Sequence, residues 1–217
     1  MQNDKYYSYI FDCDGVILDS NKLKTECFRE LLVNEEKSNV ERFIDYHVSN
    51  QGINRYEKLR YFFEKIRKVE NYENEYHNLL KKFTKISFEK ICNCNLTKGI
   101  ERYLKSLKSK NIKTYIVSGS DENELVKIFE RKNILHFFNE VYGSPKSKED
   151  IIFKLIKEKK INNQSVFFGD AKHDYQVASQ NNISFIYISD YSDWKDGKSF
   201  CVENNILQIN NFADIKI

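Results

Sequence analysis

The sequence predicts an α/β protein in which a Rossmann-like parallel sheet carries an inserted helical cap domain. In residues 6–18 and 97–217, short β-branched or aromatic runs alternate with amphipathic stretches, which is typical of βαβ units and a parallel sheet. In residues 21–95, apolar residues instead recur at helical spacing, and no run resembles a strand. A chain of 217 residues has room for one core domain and a modest insertion.

The core is predicted to alternate strands and helices along the chain. Five apolar runs are predicted as strands: Tyr9–Phe11, Thr114–Val117, Glu140–Tyr142, Val166–Phe168 and Phe185–Ile188. Four amphipathic stretches are predicted as helices: Ile100–Lys110, Glu122–Lys132, Ile151–Lys159 and Tyr175–Asn181. We therefore assign residues 1–18 and 97–217 to the core domain.

Residues 19–96 are predicted to form the cap. Leu59, Phe62, Phe63 and Ile66 show its helical periodicity. The segment follows the first predicted strand, so we expect it to cover the carboxyl edge of the sheet. That edge is where open α/β sheets bind their ligands.

Composition excludes several other classes of protein. The net charge is only +3 with signs well mixed, so we expect no nucleic acid partner. No apolar run approaches the roughly 20 residues of a membrane span, and no secretory leader pattern is visible, so we expect a cytoplasmic protein without a membrane partner. The odd count of five cysteines favours reduced thiols. We expect a monomer or a homodimer.

Two carboxylates follow the first predicted strand, in the run Asp12-Cys-Asp14-Gly15. Like charges this close are costly unless a cation neutralises them. Mg²⁺ prefers oxygen ligands and suits such a pair, while Gly15 allows a sharp turn out of the strand. The pattern predicts a magnesium-binding site that contains Asp12 and Asp14.

Polar residues also follow three later strands. Ser118 and the amide of Gly119 are candidate donors to a phosphoryl oxygen. Asp170 is a candidate metal ligand, and Asp174 lies four residues further on, where it can orient a lysine. Lys146 and Lys148 are both candidates for that lysine. The carboxyl ends of parallel strands share one edge of a sheet, so we expect all these groups to converge.

This ordered set resembles the haloacid dehalogenase superfamily of phosphatases, in the cap-bearing branch of phosphoglycolate phosphatases and β-phosphoglucomutases. The resemblance spans the whole chain, including the helical insert after the first motif. It implies that Asp12 attacks phosphorus to form an aspartyl-phosphate, and that Asp14 protonates the leaving oxygen and later activates water. It also implies Mg²⁺ held by Asp12, the backbone carbonyl of Asp14, and Asp170. An acid at position 14 is typical of members that act on phosphate esters.

The resemblance implies that Ser118 and one lysine hold the phosphoryl oxygens, and that Asp174 supports that lysine. Alignment on the family's Lys-Pro-x-Pro-Asp pattern selects Lys146, whereas Gly-Ser-Pro-x-x-Lys selects Lys148, which we favour. In the family, the cap chooses the substrate. The cap residues His47, Arg55 and Lys58 are candidate specificity donors; Asn21 and Lys24 are further candidate contacts.

The sequence therefore predicts a Mg²⁺-dependent phosphatase that acts on a small phosphorylated metabolite, such as a sugar phosphate. A sugar phosphomutase of the same superfamily is the alternative enzyme, since it would use the same acidic pair. A non-catalytic phosphoacceptor or binding module is a remote alternative. Phosphoacceptor domains lack both the helical insert and the Asp-x-Asp pair.

Overall fold

The computed structural model describes residues 6–215 and contains one six-stranded, fully parallel sheet in the order β3-β2-β1-β4-β5-β6. The strands are β1 (Ser8–Phe11), β2 (Lys113–Asp121), β3 (Glu140–Ser144), β4 (Val166–Gly169), β5 (Ser184–Ile188) and β6 (Leu207–Ile209). The predicted α/β fold with a parallel sheet is confirmed. Residues 1–5 and 216–217 of the assigned core lie outside the described residues.

Nine α-helices accompany the sheet within the described chain. They are α1 (Asn21–Leu31), α2 (Lys37–Ser49), α3 (Arg55–Tyr61), α4 (Glu73–Asn93), α5 (Ile100–Ser109), α6 (Glu122–Arg131), α7 (Lys148–Lys157), α8 (Lys172–Gln180) and α9 (Gly197–Glu203). A π-helical turn, Phe62–Arg67, continues α3. Among residues 6–215, none of the helices combines the length and hydrophobicity that a bilayer crossing requires.

Strand β1 lies inside the sheet between β2 and β4, and its apolar side chains are buried on both faces. Phe11 packs into the cluster on one face, where its ring stacks on Phe168 with centroids 5.0 Å apart. Ile10 packs on the opposite face, with Val117 and Phe167. Alternate residues of a strand point to opposite faces, so a strand buried on both faces reads as a continuous apolar run.

The structure differs from the sequence-based prediction at several element ends. Helices α7 and α8 each begin three residues before their predicted starts, because their first turns are polar and show no apolar periodicity. In α7, the Ser147 side chain caps that turn by accepting a hydrogen bond of 3.1 Å from the Asp150 amide. Strand β6 and helix α9 were not predicted; they have only three and seven residues.

Asparagine replaces glycine at the ends of four core helices. Asn111, Asn133, Asn182 and Asn205 each follow a helix with a φ of 53–56°. This left-handed conformation closes a helix by pairing its last carbonyls, and asparagine tolerates it better than most residues. These asparagines explain how a chain with only seven glycines terminates its helices in the left-handed conformation.

Residues 19–96 have a hydrophobic cluster of their own. Phe28, Phe43 and Phe83 are among its buried members, which come only from residues 27–83. The two segments that link this block to the sheet are hydrogen-bonded to each other, from the Asp19 amide to the Asn95 carbonyl at 3.0 Å. These observations support our proposal that residues 19–96 form a cap domain. The two hydrogen-bonded linking segments would then form its hinge.

Candidate active site

The structure brings the predicted polar residues together at the carboxyl edge of the sheet. Asp12 follows β1, Ser118 lies in β2, Lys148 begins α7, and Asp170 follows β4. All four side chains are buried, as is Asp174 in the first turn of α8. The parallel order β2-β1-β4 puts Asp12 in the middle of the group.

Lys148 joins two carboxylates beneath the site. Its Nζ lies 2.9 Å from Asp12 Oδ1 and 2.5 Å from Asp174 Oδ1. Asp174 Oδ2 also accepts a hydrogen bond of 3.1 Å from the Ala171 amide, which fixes the carboxylate at the start of α8. Lys146 is exposed. The geometry therefore favours Lys148 as the site lysine.

Three buried carboxylates provide a fitting environment for a divalent cation. Oxygens of Asp12, Asp170 and Asp174 lie within 4.8 Å of one another. Burial raises the pKa of Asp12 to about 7 and raises the pKa of Asp170 well above its usual value, with neighbouring carboxylates adding to both shifts. Among the described residues, no hydrogen bond is directed at Asp12 Oδ1, although the Lys148 ammonium is close. A hard cation with oxygen ligands, such as Mg²⁺, would relieve this accumulation of charge.

Asp14 lies outside that carboxylate group and is held by donors. Ser20 donates to its Oδ1 at 2.5 Å, Ser120 donates to its Oδ2 at 2.9 Å, and Lys24 forms an ion pair with it. Burial acts to raise the pKa of Asp14, but Lys24 and the two hydroxyls outweigh it and lower the pKa below its usual value. In this arrangement Asp14 is a carboxylate at neutral pH.

Ser120 is a site residue that the sequence analysis did not select. It sits beside Ser118, whose Oγ accepts a hydrogen bond of 3.1 Å from the Ser120 amide. The N-cap of α6 is Asp121, whose carboxylate accepts from the Glu124 amide at 3.1 Å. The Ser120 hydroxyl is therefore not used as the helix cap and can bind Asp14. In the sequence, only the Ser-Gly-Ser pattern points to Ser120 as a site residue.

Two glycines allow close approaches around the site. Gly15 has a φ of +76°, and a Cβ there would lie 2.3 Å from Asp170 Oδ2. A Cβ on Gly119 would lie 2.5 Å from the backbone oxygen of Gly52, in the cap loop between α2 and α3. Real Cβ contacts are never this short, so both positions require the absence of a side chain.

The predicted cap donors are all buried, and they have different partners. Arg55 forms a bidentate ion pair with Glu124 of α6, with N–O distances of 2.8 and 2.7 Å. Its guanidinium also lies over the Phe83 ring. Lys58 instead contacts His47, with 2.9 Å between Nζ and Nδ1. Arg55 therefore joins the cap to the core, and we call the Arg55–Glu124 pair the latch.

Asn21 and Lys24, near the start of the cap, also contact the site. Asn21 donates to Asp170 Oδ2 at 2.6 Å and to the Tyr191 carbonyl at 2.9 Å. Lys24 contacts both Asp14 and Ser120, at 2.5 Å from the Ser120 hydroxyl. Helix α1 thus contacts the carboxyl edge of the sheet through both residues.

These groups line a cavity of about 40 Å³ between the cap and the sheet. Asp12, Asp14 and Asp170 lie on its core side, and Lys24, His47 and Lys58 on its cap side. A water molecule needs roughly 10–15 Å³ measured in this way. The cavity therefore has room for only a few waters in this arrangement of the cap and the sheet.

We expect the latch to contribute much more stability than an exposed ion pair. Arg55→Met would leave Glu124 nearly buried without its charge partner, which costs about 3 kcal/mol of unfolding free energy. Arg29 pairs with Glu41 at the surface of the cap, so Arg29→Met should cost less than about 1 kcal/mol. Urea denaturation of both variants measures the difference. Equal losses would contradict the role of the latch.

Comparison with known proteins identifies proteins that are similar to this chain. A curated phosphorylated carbohydrates phosphatase from Thermotoga maritima is 26% identical over 187 residues, which is 82% of each chain. The crystal structure of a β-phosphoglucomutase from Clostridium difficile has a TM-score of 0.74 and 20% identity, covering 98% of this chain and 94% of that one. A predicted phosphoglycolate phosphatase from Haemophilus somnus also has a TM-score of 0.74, with 17% identity and coverage of 97% and 96%.

The two solved structures, at these identities, show a shared fold. The family evidence is the match of residues 9–188 to the haloacid dehalogenase-like hydrolases. This range contains Asp12, Ser118, Lys148 and Asp170, and also the whole of the proposed cap. The chain is therefore a hydrolase of the haloacid dehalogenase-like family.

Proposed function

We propose that this protein is a Mg²⁺-dependent phosphatase that hydrolyses a small phosphorylated metabolite, such as a sugar phosphate, through an aspartyl-phosphate on Asp12. The observation that carries the proposal is the position of Lys148 between Asp174 and Asp12, the carboxylate that lines the cavity. This arrangement puts a fixed positive charge beside a nucleophilic carboxylate, which suits the transfer of an anionic phosphoryl group. The name of the Thermotoga maritima relative supports a phosphorylated carbohydrate as substrate.

In the first step, an Asp12 oxygen attacks phosphorus, and the bond from phosphorus to the leaving oxygen breaks. Ser118, the Gly119 amide and Lys148 bind the phosphoryl oxygens, and Asp14 gives a proton to the leaving group. In the second step, Asp14 takes a proton from water, which attacks the aspartyl-phosphate. Inorganic phosphate leaves and the Asp12 carboxylate is restored.

We propose that Asp12, Asp170 and the backbone carbonyl of Asp14 hold Mg²⁺. When bound, the cation neutralises negative charge on the phosphoryl group and on the carboxylates. Asp174 is then a supporting residue, because both of its oxygens are already committed to Lys148 and to the Ala171 amide. All three ligands would be oxygen atoms, which Mg²⁺ prefers.

The environment of Asp14 favours its role in the second step. Ser20, Ser120 and Lys24 hold it as a carboxylate, which is the form that accepts a proton from water. To act as an acid in the first step, Asp14 must first gain a proton and release Lys24.

A screen of phosphorylated metabolites and p-nitrophenyl phosphate tests the proposal. We expect release of inorganic phosphate with Mg²⁺, its loss with EDTA, and its recovery when excess Mg²⁺ is returned. A phosphomutase would instead convert a hexose 1-phosphate to the 6-phosphate without net phosphate release, which NMR detects. Phosphate release that is indifferent to EDTA would contradict the metal dependence.

We further propose a cytoplasmic location and a monomeric or homodimeric state. All five cysteines are free in the structure, and three of them are buried. Free thiols are typical of a reducing compartment. Size-exclusion chromatography with light scattering measures the oligomeric state.

A further inference from the structure

The Asp170 carboxylate is oriented by a neutral side chain. Lys148 contacts Asp12 and Asp174, but within residues 6–215 no cation contacts the carboxylate of Asp170. The side chain that donates to it is Asn21, whose Nδ2 lies 2.6 Å from Oδ2. An amide can fix the direction of a carboxylate without supplying the positive charge that a metal ion would bring. This partner therefore suits a carboxylate that is to hold a cation.

The Asn21 amide has one possible orientation. It is buried, and its Nδ2 also donates to the Tyr191 carbonyl at 2.9 Å. An amide nitrogen carries two hydrogens, so each of them has an acceptor. Turning the amide over would place its oxygen against the Tyr191 carbonyl, which cannot donate. Asn21 therefore holds the Asp170 carboxylate at a fixed position relative to Tyr191.

The segment after β5 also holds the backbone of Asp170. The Ser192 hydroxyl donates to the Asp170 carbonyl at 2.5 Å. The Tyr191 hydroxyl accepts from the Lys98 amide at 3.1 Å, so this segment is fixed at a second point. Asp170 is thus held twice, by its carboxylate through Asn21 and by its carbonyl through Ser192. We call Asn21, Tyr191 and Ser192 the clamp.

The clamp places the Asp170 carboxylate against the backbone turn that follows β1. A Cβ on Gly15 would lie 2.3 Å from Asp170 Oδ2 and 2.5 Å from Asn21 Nδ2, so both atoms pack directly on this glycine. Gly15 follows Asp14, whose carbonyl is one of the proposed Mg²⁺ ligands. Without the Asn21 amide, the Asp170 side chain would lose the contact that keeps it beside this turn.

We propose that the clamp positions Asp170 for Mg²⁺ binding, and that Asn21 is its main positioning residue. The inference rests on the proposed function, because it concerns the cation of the proposed phosphatase. In this role the three clamp residues act through Asp170 and not on the phosphate. The removal of such a partner of a metal ligand typically weakens metal binding by roughly 10- to 100-fold.

Calorimetric titration of the metal-free protein with Mg²⁺, at constant ionic strength, tests the clamp without any substrate. Asn21→Ala should raise the Kd for Mg²⁺ by roughly 10- to 100-fold, because Asp170 loses the donor that orients it. Ser192→Ala should raise the Kd less, since the carboxylate itself remains held. The control is Asn78→Ala, the same change on the exposed surface of α4, which should leave the Kd unchanged.

The dependence of phosphate release on Mg²⁺ distinguishes positioning from general damage. In Asn21→Ala, the Mg²⁺ concentration for half-maximal turnover should rise in parallel with the Kd, whereas kcat at saturating Mg²⁺ should fall much less. A purely structural role would lower kcat at every Mg²⁺ concentration and leave the Kd of the folded protein unaltered. Melting temperatures establish that each variant is folded.

An unchanged or lower Kd in folded Asn21→Ala would overturn the clamp, and a lower Kd would show that the amide competes with the cation for Asp170. If Asn21→Ala does not fold, an unchanged Kd in Ser192→Ala overturns the clamp instead. A wild-type protein that binds no Mg²⁺ would contradict both proposals. One that binds Mg²⁺ but releases no phosphate from any ester would contradict the proposed function alone.

Discussion

Asp12→Asn is expected to abolish phosphate release, lowering kcat by more than about 10⁴-fold, as for the loss of other enzymic nucleophiles. The amide has nearly the same shape as the carboxylate but cannot attack phosphorus to form an acyl phosphate. The measurement is turnover of p-nitrophenyl phosphate with saturating Mg²⁺. The control is Asp45→Asn, the same change on the exposed surface of α2, which should be fully active. Undiminished turnover by Asp12→Asn would end the aspartyl-phosphate mechanism.

The same variant has an expected effect on stability. Burial raises the pKa of Asp12 from 3.8 to about 7 in the folded protein, so the ionised form is disfavoured by folding. The stability that a raised carboxyl pKa confers is present at acid pH and is lost as the pH rises through about 7. In EDTA, Asp12→Asn should therefore melt at a higher temperature than the wild type at pH 8, with a smaller difference at pH 5. Mg²⁺ should stabilise the wild type more than the variant.

Lys148→Met is expected to damage both activity and stability, whereas Lys146→Met should affect neither. Removal of the Lys148 ammonium leaves Asp12 and Asp174 buried without their cation, at a cost of about 3–5 kcal/mol. Lys146 is exposed only two residues away, so it controls for the change of side chain. Phosphate release and urea denaturation measure the two effects.

The damage from Lys148→Met should depend on pH. At lower pH Asp12, whose pKa burial raises to about 7, takes up a proton, so the loss of stability should be smaller at pH 5 than at pH 8. The activity should not return, because no cation is left to bind the phosphoryl group at this position. A reversed pattern, with Lys146→Met inactive and Lys148→Met active, would assign the phosphoryl-binding role to Lys146.

The acidic residues could be predicted from the sequence because short-range patterns specify them. Asp12 and Asp170 each end a continuous apolar run, and the ends of parallel strands meet at one edge. The choice between Lys146 and Lys148 depended instead on where α7 begins. Since Ser147 caps that helix, Lys148 starts its first turn and is buried toward Asp12.

Contacts between the cap and the core could not be predicted in the same way. Arg55 and Glu124 are separated by 69 positions; in the sequence Arg55 reads as a candidate substrate donor and Glu124 as an ordinary surface charge on a helix. Such pairings arise from tertiary packing, which local periodicity does not encode.

Closure of the cap has a kinetic consequence. The cavity has about 40 Å³ and is bounded by both the cap and the core, so the proposed reaction would need the cap to open twice in each cycle, once to admit the ester and once to release the products. Each opening would break the latch and move the Gly52 oxygen away from Gly119. A tighter latch would shield the aspartyl-phosphate better but would delay the departure of the alcohol and of phosphate. The lifetime of the closed state would then set an upper limit on kcat. Selection for faster turnover would act on the latch residues, Arg55 and Glu124, which do not contact the phosphoryl group.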